Sequence, residues 1–321
     1  MKKKLAAAVL AAFAALAAGC TPPGRPGPDP SARPVIQEDA FFFCGDTPVA
    51  FGARQGGAQM NVAGESFDLE TAVSASGARY TATDKTATGF WSKGERALVT
   101  VRGRELPECR ALREPALPFT ARGQEPGWMI NVDADTILLN ADFGALQLRM
   151  PKPEPLKTAE GLLYRTESQG RRLAVVIRPE ICADVATGMP HPYRVRYDLD
   201  GTGHTGCGGD PDSLLTGQEW RVESIGGQPV VAGSSVTIEF LEDGRVAGSA
   251  SCNRFMGGYR LTGEGLTFDR MAGSMMACEE PLSRQEDRFL GLLQDTVRFE
   301  IDPSGRLLLH TKSSQSIVAR R

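Results

Sequence analysis

Histidine is scarce, three residues in a chain of 321, which argues against a His-built metal centre and against hydrolases that need a His base. The seven cysteines contain no CxxC pair, so neither a thioredoxin-like redox motif nor a zinc knuckle is encoded. A GxSxG elbow, an HExxH helix and a Walker loop are missing too. Net charge is only −3 and no block of like charge stands out; the basic field of a nucleic-acid binder is absent. Beyond the first 20 residues no apolar run is long enough to cross a bilayer, which excludes a multi-spanning membrane protein. Adjacent carboxylates such as Glu279-Glu280 and Asp133/Asp135 fall in turn-like contexts and are expected to be solvated rather than catalytic. An enzyme is not expected, and neither a cofactor nor a metal is implied.

What is present is globular material for two or three small domains, preceded by an address. Lys2, Lys3 and Lys4 lead into an apolar stretch from Leu5 to Ala18 that ends in Ala18-Gly19-Cys20. Small residues running into a Cys resemble the lipobox of bacterial lipoproteins, although Leu16 lies four residues before Cys20 rather than the usual three. The resemblance implies cleavage before Cys20 and acylation of its thiol, palmitate included. Each buried CH₂ of such chains contributes about 0.8 kcal/mol, so two or more chains anchor stably. Residues 21–37 hold six prolines and form no core; an extended run at about 3 Å per residue makes a tether of roughly 50 Å. Thr21 follows the Cys where the family's inner-membrane retention signal is an Asp, which implies an outer-membrane location facing the periplasm.

Six cysteines remain after Cys20: Cys44, Cys109, Cys182, Cys207, Cys252 and Cys278. An even number in an exported chain points to disulfides, with fifteen pairings open. Short β-type runs are spread along the chain, among them Ala97–Val101, Ile137–Leu139, Leu146–Leu148, Leu173–Ile177, Arg194–Tyr197, Val236–Phe240 and Leu307–Leu309. The Pro151–Pro155 stretch is expected to be an exposed loop. A single helix is expected after Pro281, with Phe289, Leu290, Leu293 and Val297 on one face and Ser283 and Glu286 as a capping box. The fold class is therefore mainly β.

Residues 41–110 open with Phe42-Phe43-Cys44-Gly45-Asp46 and close with Pro107-Glu108-Cys109. Between them stand Ser74-Ala-Ser76-Gly77-Ala-Arg79-Tyr80 and Phe90-Trp91-Ser92-Lys93-Gly94. Read physically, Ser-Gly and Lys-Gly are turns flanking aromatic strand residues, with Ser76 and Lys93 near one another at loop or strand ends. The bland reading is two β-turns and a solvated lysine. The four parts in this order resemble the MliC family, the membrane-bound inhibitors of c-type lysozyme. That resemblance implies a small flattened β-barrel whose Ser and Lys loops, here Ser76 and Lys93, enter the lysozyme cleft. Tyr80, Phe90 and Trp91 would stiffen the loops or add apolar contact. Ser92 replaces the family's usual Thr, and the interval from Ser76 to Lys93 is longer than the family pattern. The excess falls in Thr81–Thr88, a polar run that would either lie clear of the cleft or meet its lip.

The middle segment is similar to an uncharacterised domain of bacterial envelope proteins and implies no activity. Its Gly201-Thr-Gly203-His-Thr-Gly206 matches GxGxxG, but no helix follows, so the match is empty. Asp198 and Asp200 lack the other ligand positions of a calcium loop. Residues 214–318 resemble the META domain of HslJ-type lipoproteins, carried by Trp220, Ile225-Gly-Gly227, Gly248–Phe255 and Met271–Cys278. Asn253 and Arg254 there could face a ligand, although an Asn after a disulfide Cys more often satisfies local backbone. The domains implied are 38–112 (MliC-like), 113–210 (uncharacterised, β-rich) and 211–321 (META, α+β with one helix), after the signal at 1–20 and the tether at 21–37. This division pairs Cys44 with Cys109, Cys182 with Cys207 and Cys252 with Cys278. The function implied is inhibition of c-type lysozyme by an envelope lipoprotein; the alternative is a structural or stress-response lipoprotein that binds another ligand.

Overall fold

The structure, a computed structural model, describes residues 40–321. The signal, the lipidation motif at Cys20 and the Pro-rich tether lie outside the described residues. Among the described residues strands dominate; they form three large sheets along the chain and a two-stranded one (Cys182–Ala183 with Pro190–His191), with one α-helix against the third large sheet.

The first sheet is built from β1 (Ala40–Cys44), β2 (Thr47–Arg54), β3 (Gly57–Val62), β4 (Glu65–Ala72), β5 (Ala78–Ala82), β6 (Gly89–Lys93), β7 (Arg96–Val101), β8 (Arg104–Glu105) and β9 (Cys109–Ala111). Neighbours run β6-β5-β4-β3-β2-β1-β9-β7, and β7 pairs back with β6, so eight strands close on themselves with β8 as a spur. Closure leaves no free edge along those eight strands. Alternation drives it: in β3 the buried positions are Ala58, Met60 and Val62, every second residue. Phe42, Phe51 and Phe90 meet inside, with Phe51 stacked on Phe90 at 4.3 Å. Cys44 and Cys109 lie directly opposite on β1 and β9 and are disulfide-bonded across 65 residues. Closing a loop of that length contributes about 4 kcal/mol in the chain-entropy view.

The middle sheet spans Phe119 to Gly208 in nine strands, and its core includes Ile130, Ile137, Leu139, Tyr164, Val175 and Val195. Phe43 of β1 and Leu112 belong to this core rather than to that of the barrel. The guanidinium of Arg178 lies 4.8 Å over the Phe43 ring and donates to the Asp46 carbonyl at 2.6 Å. β1 therefore sends Phe42 into the barrel and Phe43 into the middle sheet, as strand alternation requires. The glycine-rich run at 201–206 lies in a hairpin and the strand Thr202–Gly208. A Cβ on Gly206 would come within 2.7 Å of the Trp128 ring, so this glycine makes room for an indole rather than for a phosphate. Asp200 accepts from the Arg172 backbone N–H and pairs with Arg171, while Asp198 accepts from the Gly201 N–H. The expectation of a simple exposed loop at Pro151–Pro155 needs correction. Lys152 is buried there to 8% side-chain exposure, 3.2 Å from Glu114 and over the Tyr164 ring.

The third sheet spans Trp220 to Arg320 and packs against α1 (Glu280–Gln294). Phe289, Leu292 and Leu293 are the apolar side chains that α1 buries, with Phe289 edge-on to Phe255 at 5.5 Å. The expected capping box is not formed. Pro281 fits the first turn, where its missing N–H costs nothing, so α1 starts at Glu280 and Ser283 falls inside it. Glu286 instead accepts from the backbone N–H and the side-chain amide of Asn253, at 2.9 and 3.0 Å. Val297, expected on the helix, belongs to the strand Thr296–Ile301. Met189 and Ile181, from the middle segment, pack into this third core. The remaining disulfides join Cys182 to Cys207 and Cys252 to Cys278.

Candidate functional site

Ser76 and Lys93 meet at one end of the β5–β6 pair. The ladder runs Ala78–Ser92, Arg79–Trp91, Tyr80–Phe90 and Thr81–Gly89, so Ser76 precedes β5 just where Lys93 ends β6. Gly77 between them has φ +72, and a Cβ on it would lie 2.2 Å from the Ser92 carbonyl oxygen. Only glycine allows this approach of the serine turn to the lysine strand. On the other side Lys93 pairs with Arg96 across a two-residue turn whose Gly94 has φ +63, the left-handed geometry of tight hairpins.

The serine turn is held by its backbone and leaves its hydroxyl outward. The Ser74 hydroxyl donates to the Ser76 carbonyl at 2.6 Å, and the Trp91 indole N–H donates to the same carbonyl at 2.8 Å. The Ser76 hydroxyl itself makes no hydrogen bond among the described residues, and Ser76 is exposed. Lys93 is exposed and has no ion pair among the described residues, because the nearby acids are engaged elsewhere. Glu95 pairs with Arg113 at 3.3 Å and Glu108 with Arg96 at 3.5 Å. Among the described residues, one hydroxyl and one ammonium thus stand without partners at one end of the barrel.

The aromatic residues divide by face. Phe90 points inward at 2% exposure, whereas Trp91 is 38% exposed. Tyr80 packs on the barrel core, its ring 5.0 Å from Phe51 and 6.5 Å from Phe90. Half-buried there, it supports the strands from beneath, the placement that the loop-stiffening role expected of it requires. Sequence reasoning missed Arg79 and Leu98, which lie in one row with Trp91 across β5, β6 and β7. Leu98 is 50% exposed, an apolar strand residue facing outward. Its place in the Ala97–Val101 alternation, opposite in phase to buried Ala97 and Val99, was the available signal.

The Thr81–Thr88 loop sits at the other end of the hairpin. Three ladder steps separate the Thr81–Gly89 pair from the Ala78–Ser92 pair, about 10 Å along the strands. The loop is fastened there: the Thr83 N–H donates to the Asp68 carbonyl, and Thr88 Oγ1 accepts from the Arg102 N–H at 2.9 Å. Within it the Thr86 hydroxyl and N–H hold the Asp84 carboxyl below the usual carboxylate range. The extra residues thus lie away from Ser76 and Lys93.

In the third sheet Asn253 is 7% exposed and fully engaged. Its side-chain oxygen accepts from the Ser274 hydroxyl and the Met276 N–H, both at 2.8 Å, and its amide faces Glu286. It braces the segment closed by Cys252–Cys278, while Arg254 is exposed.

Residues 43–107 match the family model of the membrane-bound lysozyme-inhibitor of c-type lysozyme, MliC. Residues 213–321 match that of the META domain. Among solved structures, an NMR structure of a protein from Burkholderia xenovorans is similar at 24% identity, over 34% of this chain and 84% of that one. Its TM-score of 0.29 carries no structural argument. No curated protein matches the chain.

Proposed function

We propose that this protein binds c-type lysozyme and blocks it by presenting Ser76 and Lys93 to the catalytic cleft. Retaining glycosidases work with two carboxyl groups about 5 Å apart, one protonated and one ionised. Neighbouring strands lie about 4.8 Å apart, so groups leaving the ends of β5 and β6 are spaced on the same scale. The Lys93 ammonium would face the ionised carboxylate and the Ser76 hydroxyl the protonated one. Neither offers a bond to cleave. A charge-assisted contact in a partly dehydrated cleft contributes about 1.5–3 kcal/mol, and a neutral hydrogen bond about 0.5–1.5 kcal/mol.

The observation that carries this reading is the free hydroxyl and free ammonium on one braced barrel end, tied by the 2.8 Å bond from Trp91 to the Ser76 carbonyl. Trp91 is thereby a positioning residue, and its exposed ring with that of Leu98 offers apolar surface to the cleft wall. The protein would act from the membrane surface, held by acyl chains on Cys20 and spaced by the 21–37 tether, in the outer membrane facing the periplasm. It would inhibit by occupancy, with no catalysis of its own. Titrating the purified chain against a c-type lysozyme acting on cell walls tests the reading; absence of any slowing at micromolar protein overturns it.

A further inference from the structure

The outward face of the barrel from β5 to β9 carries cations in register. Lys93 on β6 lies directly opposite Arg96 on β7, and Arg96 directly opposite Arg110 on β9. Arg79 on β5 is opposite Trp91, two residues before Lys93, so it stands diagonal to the lysine on the same face. All four side chains point outward, because the intervening Ala97, Val99 and Cys109 are buried in the barrel core. Like charges directly opposite on neighbouring strands repel and cost stability.

Few carboxylates offset that repulsion. Glu108 pairs with Arg96 at 3.5 Å, and Glu95 is taken by Arg113 at 3.3 Å. Glu70, opposite Thr81 on β4 and so diagonal to Arg79, is exposed and makes no ion pair among the described residues. Arg79, Lys93 and Arg110 are likewise exposed, with no ion pair and no side-chain hydrogen bond among the described residues. Four cations on this face thus stand against two carboxylates, Glu70 and Glu108. Among the cations lie two apolar side chains that the core leaves out, Trp91 at 38% and Leu98 at 50% exposure, opposite one another across β6 and β7. Val73, almost fully exposed, follows the end of β4 at the rim of the same face.

We propose that this face docks on an anionic phospholipid surface, with the cation row on the lipid phosphates and Trp91 and Leu98 in the headgroup layer. Lysines and arginines are each drawn to an anionic leaflet. An indole beside aliphatic carbon settles where water meets hydrocarbon. A polyanion in solution would take the cations and leave Trp91 and Leu98 in water, and a neutral apolar partner would leave the cations unmatched. An anionic bilayer answers both. The proposal rests on these charges and this exposure alone, and holds whether or not lysozyme is inhibited. Where both partners bind, they exclude one another, because Lys93 and Trp91 serve each.

Tryptophan fluorescence reads the docking directly, because Trp91 is exposed whereas Trp128 and Trp220 are 5% and 2% exposed. The full chain is mixed with vesicles of phosphatidylcholine brominated near the headgroup end of its acyl chains, with and without phosphatidylglycerol. Any acyl anchor is common to both vesicle sets, so the difference between them reads the face. Quenching should rise with the phosphatidylglycerol fraction, fall severalfold without that lipid, and be lost at high salt. Arg79→Gln with Arg110→Gln should lower it severalfold at an unchanged urea midpoint, since neither side chain has a partner in the fold. Lys85→Gln, an exposed cation in the loop at the other end of the β5–β6 hairpin, should leave it as in the parent. Equal quenching on the two vesicle sets, quenching that survives high salt, or a double variant quenched like the parent would each overturn the proposal. So would a parent that stays unquenched and binds polyglutamate instead, which would assign the row to an acidic protein.

Discussion

Replacing Trp91 by Phe removes the indole N–H and its bond to the Ser76 carbonyl while keeping an aromatic ring at the position. The indole N–H to Ser76 carbonyl bond, 2.8 Å long, is the link by which β6 holds the serine turn. Phe keeps a ring on the same outward face, so the apolar contact with Leu98 persists. Trp91 is 38% exposed and water can take over the freed carbonyl, so global stability should change by less than about 1 kcal/mol. The turn keeps the Ser74 hydroxyl bond but loses its link to the lysine strand. If ordering the turn is worth the full neutral hydrogen bond, about 0.5–1.5 kcal/mol, lysozyme inhibition should weaken by roughly two- to tenfold. Hydrogen exchange at the Ser76 and Gly77 amides should quicken in parallel, while amides of β2 and β3 stay protected. Inhibition constants and exchange rates measured on the same samples decide it. A Phe variant that inhibits as the parent does, with unchanged exchange at Ser76, would refute the positioning role.

Four further outcomes follow from the same contacts. Ser76→Ala should weaken inhibition by about 0.5–1.5 kcal/mol in titration against lysozyme, without shifting the urea midpoint. Phe43→Ala should destabilise the chain by about 3–5 kcal/mol, read by urea unfolding, because Phe43 is 2% exposed in the middle core and carries the Arg178 guanidinium. Asn253→Ala should cost about 1–3 kcal/mol by the same measurement, since it strands the Met276 N–H and leaves the Glu286 carboxylate only the backbone N–H of residue 253. Burial alone would raise the Asp302 carboxyl, but bonds from Ser304 and Arg306 outweigh it and bring it down from 3.8 to about 2. A depressed carboxyl stabilises the fold fully above its unfolded value and loses that contribution as pH falls through its folded value. Asp302→Asn should therefore lower the urea midpoint at neutral pH, with the gap from the parent closing between about pH 4 and pH 2.

Much of the barrel was legible in the sequence because its signals are local. Gly77 and Gly94 mark turns whose positive φ glycine alone accepts easily, and they put Ser76 and Lys93 at strand ends. The Ala97–Val101 run read as a strand, and it is β7. What was not legible depends on residues far apart in the chain. That Phe43 leaves the barrel for another core follows from where the middle sheet docks, not from the Phe41-Phe42-Phe43 run. The burial of Lys152 depends on Glu114 and Tyr164, which meet it only in three dimensions. Ser283 and Glu286 form a sound capping box on paper, yet Pro281 starts the helix earlier and Asn253 claims the glutamate. Where the Thr81–Thr88 loop lies relative to Ser76 and Lys93 was open until the β5–β6 register put it at the far end of the hairpin.

The most direct test is Lys93→Ala, titrated beside the parent against a c-type lysozyme acting on cell walls, with urea unfolding of both. Lys93 is exposed and outside the core, so the unfolding midpoints should coincide. Loss of a charge-assisted contact worth about 1.5–3 kcal/mol should weaken inhibition by roughly ten- to a hundredfold. A Lys93→Ala variant that inhibits as strongly as the parent would contradict the account.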